Sequence, residues 1–201
     1  MEIVLASNNK HKVVELEYFI NEMCREHGLE SIKVLTLSDI GFTDEIIEDG
    51  KTFEENSYIK AYEAAKIMGI PALADDTGLC VDALDGRPGL YSARYAPTQK
   101  EKISKLLGEL KNVPKEKRDA YFVCTMTLVS PSGEKIHTQV GKIDGYITNE
   151  PSGQHGFGYD PIFFIPELNK TMADMTLEEK NTLSHRARAL KPMIEKIKTL
   201  Y

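Results

Sequence analysis

Residues 120–143, AYFVCTMTLVSPSGEKIHTQVGKI, carry the strongest signal for the fold class. The run over residues 120–129 is long and rich in β-branched and aromatic residues, which favour strands. Turn-forming Ser, Pro and Gly occupy residues 130–133, and residues 135–143 continue as a second strand. This pattern predicts a β-hairpin in the middle of the chain.

Helical and extended patterns alternate around this hairpin. Apolar spacing predicts a helix over residues 10–27, and capping boxes at Thr52 and Thr98 each open another. A further helix is expected at the C-terminus, where Pro192 should kink or break it. Short apolar or extended runs predict strands at residues 2–6, 32–35, 70–74, 79–84 and 161–165. We therefore predict an α/β fold with a mixed sheet, as one domain with two lobes.

The composition excludes several classes of protein. The chain has 201 residues with 25 basic and 31 acidic side chains, a formal charge of −6, which argues against binding to a nucleic-acid backbone. Three widely spaced cysteines suggest neither a disulfide framework nor a metal site. The N-terminus does not resemble a signal peptide, and no apolar run approaches the ~20 residues of a membrane span. We expect a soluble, cytoplasmic protein with no membrane or nucleic-acid partner.

A polar loop follows the first predicted strand and opens the first predicted helix. Ligands of α/β proteins bind beyond the carboxyl ends of strands, and helix N-termini offer unpaired N–H groups to anions. The loop therefore suits a phosphate cradle, although it lacks the glycines of a P-loop. The alternative is a capped helix start with solvated lysines. The candidate residues are Ser7, Asn8, Asn9, Lys10, His11 and Lys12.

Two adjacent carboxylates, Asp75 and Asp76, follow the predicted strand 70–74. A divalent cation would relieve their repulsion, and a carboxylate not committed to the metal could take a proton from water. A turn or N-cap is the structural alternative. Asp76-Thr77-Gly78 also matches the aspartic-protease signature, in which two copies share a proton across a dimer.

Charge is unevenly distributed along the chain. Residues 38–63 contain eight acids against two lysines, and Glu48 and Asp49 lie just before a predicted helix, where a hard cation could recruit an oxygen ligand. Seven of the eight acids are interpreted as solvated and matched to the helix dipole. Residues 180–198 contain six bases against one acid.

Aromatic residues between glycines could hold a planar ligand. Phe157 and Tyr159 flank Gly158, and stacking of a base on such a ring is worth ~1–3 kcal/mol. The basic segment adds Arg186 and Arg188, and arginine is the natural donor to the six-position oxygen of a purine. Core packing for the rings, and complementation of a helix C-terminus for the bases, are equally good interpretations of each segment alone.

Together these segments resemble the inosine triphosphate pyrophosphatase family, the non-canonical purine NTP pyrophosphatases. Thr77 stands where many members have Ser, and either residue keeps the hydroxyl. The resemblance covers essentially the whole chain and rests on six ordered motifs: Ser7-x-Asn9-x-x-Lys12-x-x-Glu15, Glu48-x-Gly50-x-Thr52-Phe53-x-x-Asn56, Ala74-Asp75-Asp76-Thr77-Gly78-Leu79, Pro88-Gly89-x-x-Ser92-Ala93-Arg94, Phe157-Gly158-Tyr159-Asp160-Pro161 and Ser184-His185-Arg186.

The resemblance implies a long mixed sheet flanked by helices, two lobes with the site in their cleft, and a homodimer. It implies Mg²⁺-dependent hydrolysis of ITP, dITP and XTP to monophosphate and pyrophosphate. Asp76 would accept the proton and meet the metal, with Glu48 as a second ligand. The 7–12 loop would hold the triphosphate, and the remaining substrate contacts would come from Thr77, Phe157, Gly158, Tyr159, Asp160, Lys180, His185 and Arg186.

Two other functions fit parts of the sequence. A nucleotide-binding regulator without catalysis would bind ITP but release no pyrophosphate. A dimeric aspartic protease would remain active in EDTA, whereas the pyrophosphatase would not.

Overall fold

The computed structural model describes residues 2–7, 9–26, 28, 33–39, 41–42 and 46–199. The described helices are α1 (Lys10–Glu26), α2 (Phe53–Met68), α3 (Gln99–Glu109), α4 (Leu177–Leu183) and α5 (His185–Lys198). The described strands are β1 (Glu2–Leu5), β2 (Lys33–Thr36), β3 (Ala72–Val81), β4 (Asp119–Val129), β5 (Lys135–Ile147), β6 (Phe163–Ile165) and β7 (Lys170–Thr171). Among the described residues, no helix is long and apolar enough to span a membrane.

The strands form one mixed sheet in the order β2-β1-β3-β4-β5-β6-β7. β1 is parallel to β2 and β3, whereas β6 is antiparallel to β5 and β7. β4 and β5 are joined by the predicted turn, in which Ser130 N–H donates to the Glu134 carbonyl at 2.9 Å. The α/β fold with a mixed sheet and a central hairpin is therefore confirmed.

Both predicted helix starts are confirmed, with a difference in the first. Thr98 and Glu101 form a complete capping box at α3. At α2 the Thr52 hydroxyl accepts the Glu55 N–H at 3.1 Å, but the Glu55 carboxylate accepts the N–H of Lys51 rather than that of Thr52. The Thr52 hydroxyl thus satisfies an N–H that the first turn of the helix leaves unpaired, while the Glu55 carboxylate holds the residue before the cap.

The predicted break after residue 74 is wrong, because β3 continues through the two aspartates to Val81. Every residue of β3 except Thr77 is buried, and β1 and β4 flank it. Strand neighbours on both sides keep the backbone extended, although Asp and Gly have low strand propensity. The two aspartates are therefore adjacent in a central strand, where successive side chains point to opposite faces.

The C-terminal segment also differs from the prediction. Ser184 separates α4 from α5, and α5 continues past Pro192 to Lys198, so the proline does not break the helix. Buried Leu190, Met193 and Ile194 pack that helix into a hydrophobic core. The predicted strand at 161–165 is shorter, since residues 160–162 form a 3-10 turn before β6.

The chain divides into two compact units, each with its own core. The first unit comprises residues 1–76, 124–141 and 186–201, and the second comprises residues 77–123 and 142–185. Phe19 and Leu16 of α1 are buried in a core of the first unit, and Leu106 of α3 and Phe163 of β6 in that of the second. The assignment of residues 1–201 to a single domain stays a prediction.

Candidate active site

The polar loop after β1 is a capped helix start that directs one lysine inward. Asn9 Oδ1 accepts the N–H groups of His11 at 3.1 Å and Lys12 at 3.4 Å, and Asn9 N–H donates to Ser7 Oγ at 3.3 Å. Lys10 and His11 are exposed, whereas the Lys12 side chain is only 15% exposed. The sixth predicted member of the loop, Asn8, lies outside the described residues. The helix start is therefore capped by Asn9, and the phosphate-binding role of the loop stays a prediction.

Asp75 lies in a buried network of charges. Its Oδ2 is 2.9 Å from Lys12 Nζ and 3.7 Å from Arg186 Nε, and Arg186 Nη1 donates to Glu15 Oε2 at 2.7 Å. Burial alone would raise the pKa of Asp75, but Lys12, Arg186 and Lys60 together lower it well below its usual range. Asp75 therefore stays ionised and is committed to these cations, which leaves it unsuited to accept a proton.

Asp76, the next residue of β3, has different partners. Asn56 Nδ2 donates to Asp76 Oδ2 at 3.1 Å, and Lys60 Nζ lies 3.5 Å from Asp76 Oδ1. Burial raises the pKa of Asp76, and the charges of Lys60 and Lys12 with the Asn56 hydrogen bond only partly offset it. Adjacent carboxylates with pKa values shifted in opposite directions are typical of a site that divides structural and proton-transfer roles.

The carboxylates of Glu48 and Asp76 lie close together because both contact the ammonium of Lys60. This ammonium donates to Glu48 Oε2 at 2.9 Å as well as contacting Asp76. Burial would lower the pKa of Lys60, but Asp76, Asp75 and Glu48 raise it, so the ammonium stays charged. Carboxylates that share one ammonium have the oxygen donors and the proximity that a hard cation needs.

The donors of the described residues do not by themselves complete a metal site. Among the described residues, no group of three or more His, Cys, Asp or Glu side chains could hold a metal ion. Mg²⁺ commonly uses only one or two carboxylates and takes its other ligands from water and substrate phosphates. Glu48 and Asp76 therefore fit Mg²⁺ that arrives with a phosphorylated ligand.

Sequence reasoning about individual residues missed Lys60 and Asn56. They are four residues apart on α2 and thus share a helical face with buried Ala61 and Ala64. Lysine and asparagine on an otherwise alanine-rich face are the signal that could have identified them, since buried polar residues are informative.

Asn56 also ties the Glu48 loop to β3. Its Oδ1 accepts the N–H of Gly50 at 2.9 Å, while its Nδ2 holds Asp76. A Cβ at Gly50 would lie 2.6 Å from Asn56 Oδ1, so a side chain there would push the loop away. This contact explains why glycine and asparagine are spaced as they are in the second motif.

In the second unit, the predicted base-binding residues form a closed turn over residues 156–160. Asp160 Oδ2 accepts the N–H of Phe157 at 3.0 Å and the ammonium of Lys180 at 2.5 Å. Gly156 has a φ of 78°, and a Cβ there would collide with the Asp160 carboxylate and the Lys180 ammonium. The turn is therefore held to α4 by a buried ion pair.

The rings near this turn are less exposed than predicted. Tyr159 is 3% exposed and donates its hydroxyl to the Ser92 carbonyl at 3.0 Å, so its ring is packed in the core. His185 is buried and stacked on Phe122, with ring centroids 4.8 Å apart and planes at 11°. Phe157 is half-buried, so its ring, unlike that of Tyr159, is partly exposed to solvent.

The predicted site residues fall into two groups. Contacts within the first unit join Lys12, Glu48 and the two aspartates, and Arg186 belongs to this group although the sequence placed it with the base contacts. The second unit holds half-buried Thr77 together with Phe157, Gly158, Tyr159, Asp160, Lys180 and His185. The substrate-binding roles of these residues stay predictions.

Comparison with known proteins agrees with the motifs. The model of the Ham1 family matches residues 3–196. The chain is 47% identical over 195 residues to a dITP/XTP pyrophosphatase of Bacillus subtilis, covering 96% of this chain and 94% of that protein. It is 49% identical over 191 residues to one of Geobacter sulfurreducens, covering 94% and 92%.

Solved structures give the same result. A HAM1 protein from Coxiella burnetii has a TM-score of 0.86 at 38% identity, covering 99% of both chains. The Staphylococcus aureus Ham1 protein has a TM-score of 0.84 at 37% identity, covering all of both chains. The family identified from the six motifs is confirmed, and the chain belongs to the Ham1 family.

Proposed function

We propose that this protein hydrolyses the non-canonical purine triphosphates ITP, dITP and XTP to the monophosphate and pyrophosphate. The observation that carries the proposal is the pair of neighbouring carboxylates with opposite environments. Asp75 is neutralised by Lys12 and Arg186, whereas Asp76 has a raised pKa beside Lys60 and Glu48. The relatives named dITP/XTP pyrophosphatase support the choice of substrates.

Asp76 is the proton acceptor in this proposal. The attacking water loses a proton to the Asp76 carboxylate, its oxygen bonds to phosphorus, and the bridge between the α- and β-phosphates breaks to release pyrophosphate. A raised pKa makes Asp76 a stronger base than an ordinary aspartate, while Lys60 and Asn56 keep it oriented. Lys12, already drawn inward by Asp75, supplies positive charge for the phosphates.

Glu48 and Asp76 would hold Mg²⁺, which when bound neutralises phosphate charge and so lowers the barrier to cleavage. This assignment is supported by the two carboxylates, whose oxygens lie close together because both contact the Lys60 ammonium. Lys60 keeps these carboxylates close together against their mutual repulsion.

Selection of the base would depend on a donor whose position is held by an acid. In the second unit, the Lys180 ammonium is held by Asp160. Such a donor suits a six-oxo purine, and an adenine amino group would leave it unpaired, which sites of this kind penalise strongly.

Pyrophosphate release from ITP, dITP, XTP, GTP and ATP, with and without Mg²⁺, tests the proposal. We expect release from the first three only, and none in EDTA. Equal rates on all five substrates would contradict the selectivity, and full activity in EDTA would contradict the metal.

Two further parts of the proposal concern the setting of the enzyme. We infer a homodimer from the family resemblance, and sedimentation at micromolar concentration checks it. We also infer a cytoplasmic location, because the nucleotide pool that needs cleansing is there; the three free, buried cysteines suit a reducing compartment.

A further inference from the structure

The motif Pro88–Arg94 has no role in the site described above, yet it lies in the same unit as the 156–160 turn. Residues Gly89–Arg94 form a 3-10 segment after β3, with Ser92 as its buried residue. Ser92 Oγ accepts the N–H of Leu79 at 2.9 Å and donates to the Gly89 carbonyl at 2.6 Å. Ser92 is thereby fixed to β3 two residues beyond Thr77.

Tyr159 connects this fixed segment to the 156–160 turn. Its hydroxyl donates to the Ser92 carbonyl at 3.0 Å, and both residues are buried. Burial raises the pKa of the Tyr159 phenol, which favours the protonated hydroxyl that donates this hydrogen bond. A buried phenol bonded to a backbone carbonyl sets the position of its ring and of the backbone that carries it.

Two contacts of the 156–160 turn are of different kinds. The Asp160–Lys180 ion pair closes the turn and holds it to α4. The Tyr159–Ser92 bond holds the same turn to the backbone that leads back to Thr77. Losing the second contact would leave the turn closed by the ion pair and its ring in the core, but without the hydrogen bond that sets the turn's position relative to β3.

We propose that Ser92 and Tyr159 are positioning residues for base selection, because their hydrogen bond holds the 156–160 turn in register with β3. The inference rests on the proposed function, in which this turn contacts the base and Thr77 contacts the substrate. Discrimination by hydrogen bonds requires donors placed to within about half an ångström. If the turn can shift, a six-amino base loses less binding free energy at the site, and a six-oxo base gains less.

Tyr159→Phe removes the hydroxyl and keeps the ring, and the readout is the ratio of kcat/KM for dITP to kcat/KM for dATP. We expect this ratio to fall about tenfold, the equivalent of one buried hydrogen bond. The fall should come from a higher KM for dITP, with kcat changed by no more than about twofold, because the groups around Asp76 are untouched. Partial unfolding lowers both rates equally and leaves the ratio unchanged, so a purely structural role predicts no shift.

Two further variants isolate the contact. Ser92→Ala removes the bonds that fix the accepting carbonyl, so it should lower the ratio as Tyr159→Phe does, and the double variant should lose little more than either single one. Tyr146→Phe is the matched control: it also removes a phenol hydroxyl in the second unit, from a ring packed on Phe164, and should leave the ratio unchanged.

The outcomes separate the two proposals. If the wild type releases no pyrophosphate from dITP, the proposed function fails. If the wild type prefers dITP to dATP and Tyr159→Phe keeps that preference, the positioning role is wrong while the function stands. Additive losses in the double variant would also overturn it, because independent sites do not share one contact.

Discussion

At the scale of single residues, two neighbouring aspartates have pKa values shifted in opposite directions. Both are buried in β3, so burial alone would raise the pKa of each. Asp75 meets Lys12 and Arg186 at Oδ2, and their charges outweigh the cost of its burial. Asp76 meets Lys60 at a longer distance and lies near Glu48, whose negative charge opposes ionisation. The difference between the two lies in their neighbours.

Asp76→Asn should abolish hydrolysis, because the amide keeps the shape but cannot accept a proton. We expect pyrophosphate release from ITP to fall at least ~100-fold. Thermal unfolding measured by circular dichroism should change little, since Asn56 and Lys60 keep a polar partner. A variant that cleaves ITP at the normal rate would contradict the role of Asp76.

Asp75→Asn should instead lower stability. It leaves Lys12 without its carboxylate and Arg186 with Glu15 alone, at an expected loss of ~3 kcal/mol in the free energy of unfolding by urea at pH 7. The folded-state pKa of Asp75 is lowered, so its stabilisation is complete above its unfolded pKa of about 3.9 and is lost as pH falls through the folded value.

The difference between wild type and Asp75→Asn should therefore be constant from about pH 7 to pH 5 and should narrow below about pH 3.9. Asp144→Asn, which removes an exposed partner of Lys142, is the control and should change the unfolding free energy by less than ~1 kcal/mol. A difference that does not depend on pH would contradict the ion-pair explanation.

At the scale of elements, α2 brings polar groups to the aspartate. Its buried face carries Asn56 and Lys60, and Ser57 Oγ lies 2.7 Å from Thr127 Oγ1 of β4, which fixes the helix on the sheet. The capped start at Thr52 sets where the helix begins and so which residues face inward. The helix therefore places the amide and ammonium groups that tune Asp76.

Lys60→Met should shift the pH dependence of hydrolysis. Removing the ammonium removes the largest charge effect that lowers the pKa of Asp76, so that pKa should rise further. The acid limb of kcat/KM against pH, measured with saturating Mg²⁺, should then move to higher pH. Lys66→Met, on the exposed face of the same helix, should leave the limb in place. An unmoved limb in Lys60→Met would exclude the coupling.

At the scale of the whole molecule, acidic and basic side chains are concentrated in different segments of the chain. The net charge of −6 is an average over an acidic stretch that contains Glu48 and a basic C-terminal segment that contains Lys180 and Arg186. Each of these three residues meets a partner of opposite sign in the structure. Charges that are separated along the sequence are therefore paired with opposite charges in the folded chain.

Ligand binding should stabilise the whole fold only when metal and phosphate are present together. Two carboxylates make a weak Mg²⁺ site, so millimolar Mg²⁺ alone should raise the midpoint of thermal unfolding by less than about 1 °C, whereas Mg²⁺ with pyrophosphate should raise it by several degrees. Glu48→Gln should remove most of the joint effect. A large shift with Mg²⁺ alone would mean that the protein itself completes the site.

The sequence by itself determined the elements, the motifs and the family. Apolar spacing, capping residues and turn residues act over a few positions, so they indicated α1, α2, α3 and the β4–β5 hairpin correctly. Local signals failed at β3, where strand neighbours from elsewhere in the chain override the low strand propensity of Asp and Gly.

Only the tertiary structure decided that the two aspartates have opposite electrostatic environments and which groups hold Arg186. Lys12 and Asp75 are 63 residues apart in the chain, and Glu15 and Arg186 are 171 residues apart. A pKa depends on burial and on charges within a few ångströms, and folding brings those charges together from distant segments. Two identical residues of one motif can therefore differ in pKa, because the fold gives them different neighbours.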